Sequence, residues 1–424
     1  LVLAGSAFMV LAAQPLFILI DTAVVGHLGA VPLAALGAAG TVMSLLAIIG
    51  TALEYGTTGR AARYFGAGRR DAAVNEGVQA SWLAMLIGLT GVAVGQIIAG
   101  PLVQLIAGGP GPVASAAESW LRIAILGLPG ILLILAGNGW LRGVQDTKSP
   151  VRIVLLASAI SAAASPLLVY TAGLGLEGSA IANVLAQWVG AALCIRALRR
   201  EELPVRPRWP VMRSQMIIGR DLVLRAAAFQ LTFLVAAGAA GSMGTASLAA
   251  HQVGLLLWQF TALVLDSFAI AAQSLVGAAL GSGNIELAKR TAWRVSGYGV
   301  GAGLLFGGLM AVGWFLVPAV FTSDAVIQQQ IHVLWPWLVA MMPVGGIIFA
   351  LDGVLLGAGD NVFVRNITLL GALGAFLPVT LAAVHLGWGL TGIWAGLAAF
   401  IGVRFVGMTL RTRSGRWAVA GAQL

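Results

Sequence analysis

The chain has 424 residues, 59% of them hydrophobic and 9% charged, with a formal net charge of +9. Apolar runs of about 20 residues, the length that spans a bilayer core, recur from end to end and exclude an ordinary soluble fold. The single cysteine, Cys194, excludes disulfides within the chain and thiol-based metal clusters.

Such runs must be helices, because a lipid-exposed backbone has to satisfy its own hydrogen bonds, and a barrel would show ~10-residue alternating strands instead. The expected fold is an all-α polytopic membrane protein with twelve spans, at 2–25, 33–58, 78–106, 119–141, 151–172, 178–198, 222–242, 248–276, 291–317, 332–355, 364–385 and 390–410. No cleavable signal peptide is evident. The chain opens at Leu1 already inside an apolar run, which implies that a short polar start precedes it.

The first span carries Asp21. A charge in hydrocarbon costs roughly 2.5–3.5 kcal/mol on insertion scales, so an intramembrane acid is a functional candidate by default. Asp21 lies five residues before Gly26, roughly 7–8 Å from that end of the helix at 1.5 Å per residue. Gln14 falls two turns away on nearly the same face, and Pro15 between them can kink or hinge the helix. A carboxylate so placed can load and release a proton.

Later spans add weaker candidates. Glu54, one to two turns before Arg60, reads as an interfacial charge. Asn138, Ser161, Ser165, Asn183, Gln252, Gln259 and Gln273 are polar groups at membrane depth that can line a cavity or bond neighbouring helices. Asp266 and Asp352 are the remaining aspartates within spans, and either can serve the pathway or cap a helix end. The four histidines, His27, His251, His332 and His385, fall near expected span ends, where a polar ring is cheap.

Basic residues mark one side of a membrane. With the N-terminus inside, Arg122 alone among the 24 Lys and Arg residues falls outside, the positive-inside pattern for an even number of spans with both termini cytoplasmic. Topology accounts for the positive charge, and no nucleic-acid partner is expected.

The chain is also duplicated. Gly29, Leu33, Ala34, Ala35, Gly66 and Gly68 recur 215 positions later as Gly244, Leu248, Ala249, Ala250, Gly281 and Gly283. At an offset of 214, Pro129 matches Pro343, Asn138 aligns with Asp352, and Leu141-Arg-Gly-Val-Gln-Asp146 matches Leu355-Leu-Gly-Ala-Gly-Asp360. A fixed spacing across motifs with Asp and Pro is the signature of a repeat. The expected organisation is a six-helix N-terminal lobe at 1–198, a cytoplasmic linker at 199–220 and a six-helix C-terminal lobe at 221–424, pseudo-symmetric and able to rock. Gly91 and Gly95, and the stripe Gly299, Gly303 and Gly307, are read as close-packing positions.

Enzyme readings mostly fail on the residues, with Asp266 and Asp352 left as the last candidate acid pair for an intramembrane enzyme. Gly357-Ala-Gly-Asp360 fits the GxGD pattern of intramembrane aspartyl proteases, but the Tyr-Asp pair they also need is absent, and Asp360 falls at a turn. Neither HExxH nor a Walker A motif occurs.

With the segments Asp21-Thr-Ala-Val-Val-Gly-His-Leu-Gly29, Leu141-Arg-Gly-Val-Gln-Asp-Thr147, Leu265-Asp-Ser-Phe-Ala-Ile-Ala-Ala-Gln273 and Leu351-Asp-Gly-Val-Leu-Leu-Gly-Ala-Gly-Asp360, the chain resembles the multidrug and toxic compound extrusion (MATE) family, in its DinF-like bacterial branch. That resemblance implies export of drug-like compounds against an ion gradient, usually protons in this branch, with Asp21 matching the first-helix carboxylate assigned to coupling. Many relatives carry Asn and Asp in the fifth span where this chain reads Ser161-Ala-Ala-Ala-Ser165, which removes a partner acid and disfavours a Na⁺ cage. The expectation is a proton-coupled antiporter in the bacterial inner membrane, functional as a monomer among membrane lipids, that exports small amphipathic or cationic organic compounds and needs no cofactor beyond H⁺. Na⁺ coupling and lipid or glycolipid flipping are its rivals.

Overall fold

All twelve expected spans are helices in the computed structural model, which describes residues 2–422 apart from the side chain of Gln14. In chain order they are α1 (Val2–Gly26), α2 (Ala30–Gly66), α3 (Arg70–Ala107), α4 (Pro112–Gly143), α5 (Ser149–Thr171), α6 (Gly175–Arg199), α7 (Trp209–Ser242), α8 (Thr245–Gly281), α9 (Ile285–Val312), α10 (Ala325–Gly357), α11 (Asn361–His385) and α12 (Gly389–Arg413). A short helix, Leu316–Phe321, lies between α9 and α10, and no strand occurs among the described residues.

Several helices outrun their apolar cores at the basic end. The second continues to Gly66 and the third begins at Arg70, against expected limits of 58 and 78. Hydropathy marks where lipid ends, whereas Arg60, Ala61, Ala62 and Arg63 are good helix formers that carry the hydrogen-bond ladder onward. The same effect corrects the expected linker: within 199–220 the chain is irregular only over 200–208, and α7 starts at Trp209. Gln79 of α3 pins this stretch by donating to the Arg206 carbonyl at 2.9 Å and accepting from the Arg208 N–H at 2.6 Å. Trp82 donates to the Val205 carbonyl at 3.0 Å. Glu76 accepts two bonds from Arg60, at 2.7 and 2.8 Å, and one from Gln215 at 2.8 Å, so the start of α7 is tied to α2 and α3.

The chain divides into two compact units, Val2–Arg220 and Asp221–Leu424. Within each, the second and fourth helices meet across glycines. A methyl group on Gly139 would lie 2.5 Å from the Glu54 carbonyl oxygen, and one on Gly143 would lie 3.0 Å from that of Thr58. At the repeat positions, Gly353 faces the Ala269 carbonyl and Gly357 that of Gln273, again with no room for a Cβ. The α9 stripe Gly299, Gly303 and Gly307 is buried against α10, while Gly91 and Gly95 of α3 receive Leu128 and Ile125 of α4.

Backbone angles repeat as well. Gly29 and Gly244 have φ of 122° and 115°, and Gly68 and Gly283 have 72° and 79°. Helices α4 and α10 both end in a Schellman turn: the Asp146 N–H bonds the Leu141 carbonyl at 2.9 Å, and the Asp360 N–H bonds that of Leu355 at 2.9 Å. The left-handed position is Gly359 in one turn, with φ 78°, and Gln145 in the other, with φ 61°.

Prolines shape the helices around the site. Pro129 removes a backbone donor from α4, and the chain tightens to a 3₁₀ turn over Ile125–Gly127. In α5, Pro166 is followed by a π turn over Leu167–Thr171, and α11 carries another over Leu370–Phe376. A π turn re-aims the side chains in and beside it; Tyr170 belongs to the one in α5 and Ser165 lies just before it.

Candidate functional site

A set of polar side chains lies within the otherwise apolar interior of the first unit. Asp21 is 5% exposed, and the Ser165 hydroxyl donates to its Oδ1 at 2.9 Å. Tyr170, on the π turn, donates to the Val24 carbonyl and fixes the end of α1 against α5. Asp21 and Thr22 face a cavity of about 500 Å³ that Thr41, Ser44, Asn183 and Gln187 also line. Gln187 donates to Asn183 at 3.2 Å, one turn away on α6.

A second, smaller cavity of about 110 Å³ adjoins it. Phe17, Ile131, Asn183 and Gln187 line both spaces. The smaller one is closed toward the basic end by Glu54 and Arg142, which form a buried ion pair, and is flanked by Asn138 and Ser161. The Asn138 Oδ1 and Ser161 Oγ are buried without a hydrogen-bond partner among the described residues. Buried polar atoms of this kind are satisfied by ordered water where a cavity offers room and further polar partners.

The sequence candidates thus divide. Asp21, Asn138, Ser161, Ser165 and Asn183 come together in this one unit. Pro15 sits inside α1 on an exposed face, and the side chain of Gln14 lies outside the described residues. Gln252 is exposed rather than turned into a cavity, and Asp266 is half-buried on α8.

Asp352 is committed to a charge cluster in the second unit. Arg225 donates to its Oδ2, and Arg404 approaches Oδ1 to 3.2 Å. The Arg404 guanidinium also stands 4.6 Å from the Phe229 ring centroid and 5.7 Å from that of Phe400. Cation–π contact offsets part of what desolvating these charges costs.

Two of the charged or polar groups read as lying near span ends prove to be buried within the protein. Glu54 is 7% exposed and paired with Arg142, which is 5% exposed. Leaving either ion buried alone would typically cost about 3–5 kcal/mol, so the two are held together. His251, read as lying near a span end, is fully buried against Trp394 with ring centroids 5.9 Å apart, and neither ring nitrogen has a hydrogen-bond partner among the described residues.

A signal for the missed pair does exist in the repeat. The counterpart of Glu54 at 215 positions is Ala269, and that of Arg142 at 214 is Leu356. Opposite charges therefore appear together in one half where the other half is apolar.

Comparison with known proteins supplies the lineage. Residues 6–167 and 222–381 match the MatE family model. DNA damage-inducible protein F of Escherichia coli (strain K12) is 30% identical over 96% of this chain and 90% of its own length. Protein DETOXIFICATION 44, chloroplastic, of Arabidopsis thaliana is 28% identical over 97% of this chain and 81% of its own. A crystal structure of MATE in the bent conformation superposes with a TM-score of 0.90 at 20% identity, covering 98% of this chain and 95% of that one.

Proposed function

Since the chain belongs to the MATE family of multidrug and toxic compound efflux transporters, we propose that it is a proton-coupled antiporter exporting amphipathic or cationic organic compounds. The carrying observation is Asp21, a buried carboxylate hydrogen-bonded to Ser165 and facing a cavity of about 500 Å³. Members of this family are transporters and not enzymes, which also disposes of the protease pattern at Gly357 to Asp360.

In its ionised form Asp21 supplies negative charge to a cavity otherwise lined by neutral groups, and so favours a cation there. Protonation removes that charge and, with it, the attraction for the substrate. An ion or substrate shifts such an equilibrium only through its different affinities for the two states, and Asp21 provides the difference for both. Basic residues at the ends of α2, α4 and α6 support an orientation with both termini on the cytoplasmic side of the plasma membrane. Asp21 then faces the outer half and draws its proton from outside. A hard cation such as Na⁺ prefers several oxygen ligands, and the one side-chain hydroxyl on Asp21 suits a proton better.

Reconstituted in vesicles, the wild type should move a cationic dye when a pH gradient alone is imposed and not when a Na⁺ gradient alone is imposed. Asp21→Asn should cut the pH-driven rate by about tenfold or more. Undiminished proton-driven transport by that variant would sink the assignment.

A further inference from the structure

Glu54 and Arg142 bring α2 and α4 together at a contact that the molecule also builds without charge. In the second unit the same helix pair meets at Gly353 and Gly357, with Ala269 and Leu356 in place of the two ions, both buried. Packing alone therefore does not require the pair. What the first unit has in addition is the cavity of about 110 Å³, with the unpartnered Asn138 and Ser161 oxygens on its wall and four residues shared with the cavity of Asp21.

We infer that Glu54 is the second carboxylate of a proton route inside the first unit, joined to Asp21 by water in the two adjoining cavities. This rests on the proton-coupled reading of Asp21. The Asp21 carboxylic acid gives up its proton to the water chain past Phe17, Asn183 and Gln187, and the chain delivers a proton to the Glu54 carboxylate. Asp21 is left ionised and Glu54 neutral, and Glu54 then loses its proton toward the basic end of the unit. Among the described residues Arg142, paired with Glu54, is the one other charged group on this cavity wall: α1, α5 and α6 present apolar, hydroxyl or amide groups there, and Arg60 and Glu76, between α2 and α3, are engaged with each other. Glu54 lies 24 residues from the start of α2, roughly 36 Å along its axis, which sets it at the far end from the loop joining α1 to α2.

The second unit supplies the decisive variant, Glu54→Ala with Arg142→Leu, which installs the residues of the uncharged contact. Thermal unfolding in detergent and dye transport in vesicles are measured for the wild type, this double variant and Glu54→Gln. Expected is a double variant with a wild-type unfolding midpoint that exchanges dye across vesicles at equal pH. Its pH-driven transport and dye-induced proton movement should both fall by about tenfold or more, as they should for Glu54→Gln. A double variant that folds and couples like the wild type would make the pair structural and overturn the inference. If it unfolds, Glu54→Gln decides: full coupling in that variant overturns the route, and loss of coupling with retained exchange upholds it. A wild type indifferent to a pH gradient would instead remove the proton reading of Asp21 itself, a distinct result.

Discussion

Among single residues, Arg404 contacts Asp352, Phe229 and Phe400, and these contacts carry a definite cost if removed. Arg404→Met keeps much of the volume but deletes the cation, and Asp352 keeps Arg225. The variant should lose about 1–3 kcal/mol of stability, from one ion pair and the ring contacts, seen as a lower unfolding midpoint in detergent. The sequence hides this role, since a basic residue near the end of the last span fits the topology without further explanation. Glu54, six positions before Arg60, reads as an interfacial charge, and its partner Arg142 is 88 positions away, beyond any local pattern. Asp21 is legible because it interrupts a run whose other members are almost all apolar.

Whole elements were read more reliably than their ends. Twelve apolar runs became twelve helices, because the bilayer requirement leaves the backbone no alternative. Ends at the basic side were missed because polar residues continue a helix as well as apolar ones do, and the π turn after Pro166 was invisible because nothing in its composition separates π from α geometry. The repeat shows one further strain. Gln145 adopts the left-handed conformation that Gly359 adopts in the matching turn, and a side chain there costs about 1–2 kcal/mol. Gln145→Gly should therefore raise stability by about 1 kcal/mol, and Gly359→Ala should lower it by a similar amount. Opposite shifts in unfolding midpoint would show it, and equal shifts would refute it. Just beyond Gln145, Asp146 lies ahead of α5 and accepts from the Lys148 and Ser149 N–H groups and the Ser149 hydroxyl. Burial alone would raise this carboxyl, but those bonds and the charge of Arg152 hold it below the ordinary carboxylate range.

Over the whole molecule, duplication preserved helices, turns and glycine contacts while the polar interiors diverged. The first unit encloses carboxylate, amide and hydroxyl groups around two cavities, and the second ties its buried Asp352 between two arginines. The counterpart of Asp21 at 215 positions is Ala236, which is fully buried, and that of Ser165 at 214 is Val379. An acid grafted onto the second unit would therefore meet no hydroxyl at the matching position. If coupling depends on the environment of Asp21 and not merely on having an acid at that depth, Ala236→Asp placed in an Asp21→Asn chain should fail to restore pH-driven transport. The buried, unpaired carboxylate should also destabilise the protein by several kcal/mol, on the order of 3–5, and lower its unfolding midpoint. Recovery of coupling in that double variant would mean that the two units are interchangeable for proton transfer, and that the asymmetry between their interiors has no bearing on the direction of transport.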